Sequence, residues 1–166
     1  VDVFYMDFKN FFQWQPDANG RPLVRVNGGK FRNVGIEAEY GRRLSDRLKW
    51  NVSGSYSNPR QKEMNETYWK QAAPKLQFTT GIRYESPTWE AGTSFSFVTK
   101  RLRNRDGGLN PNIALWNAYV GYHFNKDATL RLDARNLLDR HNVITNGDYE
   151  YWGDPFTYEL SYTQKF

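Results

Sequence analysis

The sequence predicts an all-β protein: an antiparallel, up-and-down transmembrane β-barrel wall of eight strands. Three observations carry that expectation. Apolar and polar residues alternate with period two in one segment after another, as side chains on a strand alternate faces. Short and long connections between those segments alternate without exception. Aromatic residues make up 17% of the 166 residues, yet the longest apolar runs, Val3–Met6 and Ile113–Trp116, are only four residues long. A membrane helix needs about 20 consecutive apolar residues. A barrel strand needs an apolar residue only at every second position, with rings at the two interfaces.

The opening segment, Val1–Phe12, reads as a strand of open parity, because Phe4, Met6 and Phe8 compete with Val3 and Tyr5. In the second, Val34, Ile36, Ala38 and Tyr40 alternate with Gly35, Glu37, Glu39 and Gly41. In the third, Leu48, Trp50, Val52 and Tyr56 alternate with Lys49, Asn51, Ser53 and Ser55. The fourth sets Leu76, Phe78, Thr80, Ile82 and Tyr84 against Gln77, Thr79, Gly81 and Arg83. The fifth sets Ala91, Phe95 and Phe97 against Gly92, Ser94 and Ser96. The sixth sets Trp116, Ala118, Val120, Tyr122 and Phe124 against Asn117, Gly121 and His123. The seventh sets Leu130, Leu132 and Ala134 against Thr129, Arg131, Asp133 and Arg135. The last sets Phe156, Tyr158, Leu160, Tyr162 and Phe166 against Thr157, Glu159, Ser161, Thr163 and Lys165.

Tight turns fall at Arg43-Leu44-Ser45-Asp46, Ser86-Pro87-Thr88-Trp89 and Asn125-Lys126-Asp127. The long links fall at residues 13–29, 58–74, 100–111 and 140–153. Outer-membrane barrels show this asymmetry, with short periplasmic turns and long extracellular loops. The polar face is rich in small residues and mixed charges, among them Gly35, Ser53, Gly81, Ser94, Glu37, Arg83, Arg131 and Asp133. A surface facing bulk water has little use for glycine in mid-strand, whereas a wet lumen tolerates it. The apolar face carries rings near strand ends and aliphatics between them, as Trp116 and Phe124 flank Ala118 and Val120. The expected arrangement is therefore apolar outward and polar inward.

Composition excludes several classes. The chain has no Cys, which removes disulfides, thiolate zinc sites and a Cys nucleophile, and only two His, His123 and His141, neither with a partner visible in the sequence. A net charge of +5 spread along the chain makes no case for nucleic acid. No constellation of nucleophile and base appears, so no catalytic residue, metal site or cofactor is expected. The chain starts with Val and shows no secretory leader, as expected of a processed chain or of a piece of a longer one.

Arg135-Asn136-Leu137-Leu138-Asp139 after an alternating strand resembles a segment near the end of TonB-dependent outer-membrane receptors. Asn27-Gly28-Gly29 followed by Val34-Gly35-Ile36-Glu37 is similar to their "Gly-x-Glu" strand entry. Tyr158, Leu160, Tyr162 and Phe166 resemble the terminal pattern read by the barrel-assembly machinery, although Gln164 stands where the family has an apolar residue. The resemblance covers the whole chain. It implies that residues 1–166 are the C-terminal segment of a barrel of roughly 22 strands, without the N-terminal plug domain. It further implies a non-enzymatic role in the outer membrane of a Gram-negative bacterium. The segment would supply barrel wall and extracellular loops for uptake of a ferric siderophore, cobalamin or a similar scarce nutrient. Implied partners are outer-membrane lipid, the remaining strands and plug and, through the plug, the TonB complex.

Two groups of residues are candidate contacts. Trp14, Arg21, Arg25, Tyr68, Trp69, Tyr149, Tyr151 and Trp152 lie in the long loops, where rings and guanidinium groups suit an anionic chelate or simply pack loop against loop. Arg101, Arg103 and Arg105 continue the outward parity of Phe95 and Phe97 and are either a lipopolysaccharide phosphate contact or a solvated charge run. On the polar face, Asp133 between Arg131 and Arg135 is either part of a substrate path or a mutual neutralisation. The alternative to the transport receptor is a self-contained eight-stranded structural or adhesion barrel, in which the first and last strands pair. A soluble ligand-binding barrel is the third reading.

Overall fold

The computed structural model describes residues 1–15, 24–102, 108–144 and 150–165. Its elements are β1 (Asp2–Gln15), β2 (Val24–Arg43), β3 (Leu48–Ser57), β4 (Arg60–Lys62), β5 (Lys70–Gln71), β6 (Leu76–Glu85), β7 (Trp89–Val98), β8 (Arg101–Leu102), β9 (Leu109–Asn110), β10 (Ile113–His123), β11 (Ala128–Arg135) and β12 (Thr157–Gln164). All pairings are antiparallel. The main sheet runs β12-β11-β10-β7-β6-β3-β2, with β1 on β2 and the β4-β5 ribbon also joined to β2. The eight long strands are those of the alternating segments. The expectation of eight in all needs correction, because the sheet has ten strands and β8 and β9 form a separate pair. The extra strands lie inside the long links and are two or three residues each, too short to show a period.

The β1–β2 connection is also shorter than expected, since β1 reaches Gln15 and β2 starts at Val24. β3 pairs only with Gly35–Arg43 of β2, so the eleven residues of β2 before Gly35 project past it. At about 3.3 Å per residue that ribbon is roughly 35 Å long. β4 covers part of it through Lys30–Arg32. An extra residue in β1, Asn10 at φ 59°, interrupts the β1–β2 register between Lys9 and Phe11. The parity of β1 is fixed by Val3 opposite Ile36 and Phe4 opposite Gly35. Val3 and Tyr5 join the apolar face, and the Phe4 ring lies over the Cβ-less Gly35 on the polar face.

The register keeps the two faces distinct across the whole sheet. One face carries the apolar row Leu48, Tyr84, Ala91, Val120, Leu132 and Leu160. The other carries the row Gly41, Asn51, Gly81, Ser94 and Asn117. At the turn ends the apolar face holds a chain of edge-on rings: Trp89–Tyr122 at 4.8 Å, Tyr122–Phe124 at 4.9 Å and Phe124–Tyr162 at 6.5 Å. Nearer the loops it holds Phe78, Phe95, Phe97 and Trp116. Two threonines on this face are fully engaged. The Trp50 indole donates to Thr80 Oγ1 at 2.9 Å, and Thr80 donates to the Asn51 carbonyl at 3.0 Å. Trp116 and Thr93 repeat the arrangement with the Asn117 carbonyl.

Among the described residues the buried apolar side chains are Ala114, Ala128 and Val143, with Pro59 in a loop. Val120, Leu132 and Leu160 are 40%, 41% and 65% exposed. This single layer has no hydrophobic core, and its apolar face requires an apolar medium. No helix among the described residues is long and apolar enough to cross a membrane, so any crossing is by strands. The first and last strands do not close on each other among the described residues: β1 pairs with β2 and β12 with β11.

Candidate functional site

The polar face is built in rows set by the cross-strand register. One complete row reads Arg43, Lys49, Arg83, Gly92, Tyr119, Asp133 and Glu159. The adjacent row reads Glu85, Glu90, Gly121, Arg131 and Ser161. Arg131 donates to both Asp133 oxygens at 2.8 and 2.9 Å and to Glu90 Oε1 at 2.8 Å. Its guanidinium also lies 3.8 Å from the Tyr119 ring centroid. Arg135 turns instead to Glu159, at 3.7 Å. Neutralisation therefore runs through Arg131, Asp133 and Glu90, and Glu90 comes from a strand distant in sequence.

Two glycines make this packing possible. A Cβ on Gly92 would stand 2.6 Å from the Tyr119 ring, and one on Gly121 would stand 2.7 Å from Glu90 Cγ. Both histidines have neighbours that the sequence does not reveal. His123 Nδ1 is 2.9 Å from Thr129 Oγ1 and its Nε2 is 4.0 Å from Glu90. The His141 ring meets the edge of Trp152 at 6.1 Å.

The loop end is tied together by backbone carbonyls and amide side chains. Asn136, at φ 52°, is fully buried. Its Nδ2 donates to the Arg140 and Asp154 carbonyls at 3.0 and 2.9 Å, and its Oδ1 accepts from Arg140 N at 3.2 Å. Asp139, at φ 46°, accepts from Phe156 N at 2.9 Å. The Asn-Leu-Leu-Asp segment thus ends β11 and fastens the entry to β12. Asn142 pairs with the Ala114 backbone in both directions, at 3.3 and 3.2 Å. Arg101 donates to the Val143 carbonyl and, at 3.1 Å, to the Ile144 carbonyl. The loop carrying β8 and β9 is thereby clamped to the loop after β11.

The expected contact residues fall into separate groups. Trp14 on β1 is in register with the exposed Arg25 on β2. Tyr68 is exposed, whereas Trp69 is half-buried with the Arg32 guanidinium 4.4 Å from its ring centroid. Tyr151 and Trp152 are exposed, and Trp152 bridges to Val143. Arg21, Tyr149, Arg103, Arg105 and Phe166 lie outside the described residues. Tyr158, Leu160 and Tyr162 stand exposed along the apolar face of β12. Arg101 spends its guanidinium on loop carbonyls. Sequence reading missed Lys70, whose ammonium pairs with Glu66 and, at 3.6 Å, with Glu63. Partial burial pushes the Glu66 carboxyl up, but hydrogen bonds from Lys70 and the Glu63 region outweigh it and hold it below its usual value. The same bond raises the Lys70 ammonium above its usual value against partial burial. Among the described residues no cluster of three or more His, Cys, Asp or Glu could hold a metal.

Comparison with known proteins places this geometry. The family described as "TonB dependent receptor-like, beta-barrel" matches residues 1–137. The ferric-catecholate import receptor Fiu of E. coli K12 superposes with a TM-score of 0.75 at 18% identity, over 99% of this chain and 24% of that one. The unliganded ferric citrate transporter FecA gives 0.77 at 23% identity, over 98% of this chain and 28% of that one. The copper transporter OprC gives 0.71 at 17% identity, over 98% and 28%. The chain spans about a quarter of the length of these structures. Comparison with curated protein sequences finds no match. Members of the matched family are outer-membrane transporters of Gram-negative bacteria rather than enzymes. The chain belongs to the TonB-dependent receptor family, matching its β-barrel over residues 1–137.

Proposed function

We propose that this chain forms part of the wall and outer loops of an active importer of a metal chelate, a ferric siderophore or a comparable scarce nutrient. The single observation that carries the reading is the sheet itself: apolar on one face, polar on the other, without a core, and open at β1 and β12. Two open edges in lipid would leave backbone groups unpaired at several kcal/mol each. Further strands therefore complete the barrel, at roughly 22 in all. A plug domain elsewhere in the polypeptide fills the lumen and takes energy from TonB. The similar structures are an import receptor for ferric catecholate and transporters of ferric citrate and copper, which favours iron or another metal over cobalamin as the cargo.

Within that reading the loop residues Trp14, Arg21, Arg25, Tyr68, Trp69, Tyr149, Tyr151 and Trp152 contact the chelate. The segment with Arg101, Arg103 and Arg105 faces lipopolysaccharide phosphates, with Arg101 serving mainly as the loop clamp. Tyr158, Leu160, Tyr162 and Phe166 present the barrel-assembly pattern.

The test is uptake of radiolabelled iron chelates by cells whose only outer-membrane receptor is this one. Uptake that stops when the proton gradient is collapsed is the expected result. Uptake unaffected by that collapse, or no accumulation of any metal chelate, would overturn the reading.

A further inference from the structure

The apolar face changes character at its loop end. Tyr56 stands opposite Leu76 on that face. The Thr99 amide donates to the Leu76 carbonyl at 3.0 Å, one step past the last paired residues Val98 and Ile113, so Thr99 and Asn112 continue the same row. These four residues line one groove of about 420 Å³. The rings of Phe78 and Phe97, 5.7 Å apart, form the next row toward the middle of the sheet. The groove therefore opens beside the membrane, above the outward rings, on the side of the wall away from the lumen.

Two fastenings fix its rim. Thr99 Oγ1 accepts from the Lys75 and Leu76 amides at 3.2 and 3.0 Å. Gln71 Nε2 donates to the Ala73 and Lys100 carbonyls at 3.0 and 2.9 Å. The link between β5 and β6 and the end of β7 thus hold Lys75 and Lys100 on the same groove. Among the described residues neither lysine has an ion pair, and no carboxylate lines the groove beside them. Tyr56, Leu76 and Leu109 supply apolar wall. The Asn112 side-chain oxygen is buried without a hydrogen-bond partner.

In the barrel reading lipid covers this face. A bare acyl chain suits the wall but leaves two ammonium groups and an amide oxygen unanswered. We propose that the groove seats a phosphorylated glycolipid of the outer leaflet, lipopolysaccharide held through its lipid A. An acyl chain lies along Tyr56 and Leu76, a phosphate sits between Lys75 and Lys100, and a sugar hydroxyl donates to Asn112 once its amide turns. Ammonium groups on long stems reach headgroup level from an apolar surface and take phosphate as point charges. The proposal rests on the barrel reading. It gives the lipid a seat separate from segment 101–105, whose Arg101 is committed to loop carbonyls.

The test places a photo-cross-linker in the groove of the full-length receptor in intact cells. Tyr56→p-benzoylphenylalanine keeps a ring at the outward position and is expected to cross-link lipid A, seen as a shifted band that a lipid A antibody recognises. Adding Lys75→Gln and Lys100→Gln is expected to lower the yield by about tenfold or more, and Lys75→Arg with Lys100→Arg to preserve it. Heat-modified gel mobility checks that each variant folds. Should the double variant not fold, Lys100→Gln alone, at an exposed side chain, carries the test with a loss of about fivefold. Equal yield from the folded Gln variant overturns the proposal. So does cross-linking to phospholipid, or to the receptor's own loops, in place of lipid A. The same cross-linker at Val120 separates this failure from failure of the barrel reading. Cross-linked lipid at Val120 upholds the barrel whatever Tyr56 reports, and no lipid at Val120 overturns the barrel reading and the proposal with it.

Discussion

At the scale of single residues, the polar wall depends on glycines that make room for long side chains lying flat. Gly121 admits Glu90, and Glu90 in turn holds Arg131. Gly121→Val therefore forces Glu90 aside and is expected to cost about 1–3 kcal/mol, the usual range for overpacking. A lowered midpoint in heat-modified gel mobility checks it. Asn136 is the residue on which the loop end turns, since one buried amide serves three backbone groups. Asn136→Ala strands those groups, each worth about 1–3 kcal/mol when buried and unpaired. Increased proteolysis within residues 136–156 of the folded barrel is the expected result. The sequence identifies the Asn-Leu-Leu-Asp segment but not this role. Asn136 bonds across to Asp154, and nothing local in the chain announces that partner. The Arg101 clamp was illegible for the same reason, being made to carbonyls about 42 residues away. The partner of Arg131 in Glu90 is likewise 41 residues distant.

At the scale of elements, the long strands were legible because one face of each is apolar and the period of two is strict. β1 was legible as a strand but not in its parity, because rings stand at both parities and one of them, Phe4, lies over a glycine on the polar side. The ribbons β4-β5 and β8-β9 depend on tertiary pairing with β2 and on loop clamps, so their short sequences carry no period. The β4–β5 loop has its own pH dependence. The lowered Glu66 carboxyl makes the Glu66–Lys70 contribution present above the ordinary carboxylate range and lost as pH falls through the folded value. The raised Lys70 ammonium makes it present below the ordinary lysine range and lost as pH rises through its own folded value. A spin label at the exposed Tyr68 is expected to stay ordered around neutrality. It is expected to gain mobility in acid below the usual glutamate range, and again at strongly alkaline pH. Uniform mobility from neutral to acid pH would contradict the ion pair.

At the scale of the whole molecule, the fold is a sheet whose energetics belong to its surroundings. A handful of small or medium buried apolar residues cannot stabilise a ten-stranded sheet in water. Lipid supplies the missing contact. Val120→Arg or Leu132→Arg is therefore expected to cost about 2–4 kcal/mol in lipid, the range for a cation near the bilayer midplane. The central claim is that the apolar face, even-numbered in β6, β10 and β11 and odd-numbered in β7, meets acyl chains while the opposite face lines water. Nitroxide accessibility of the full-length receptor in lipid vesicles tests it most directly. Labels at Val120 and Leu132 should be relaxed by dissolved oxygen and protected from a water-soluble nickel chelate, and labels at Gln77 and Ser94 should show the reverse. Nickel access at Val120 and Leu132, with oxygen-rich surroundings at Gln77 and Ser94, would contradict the account.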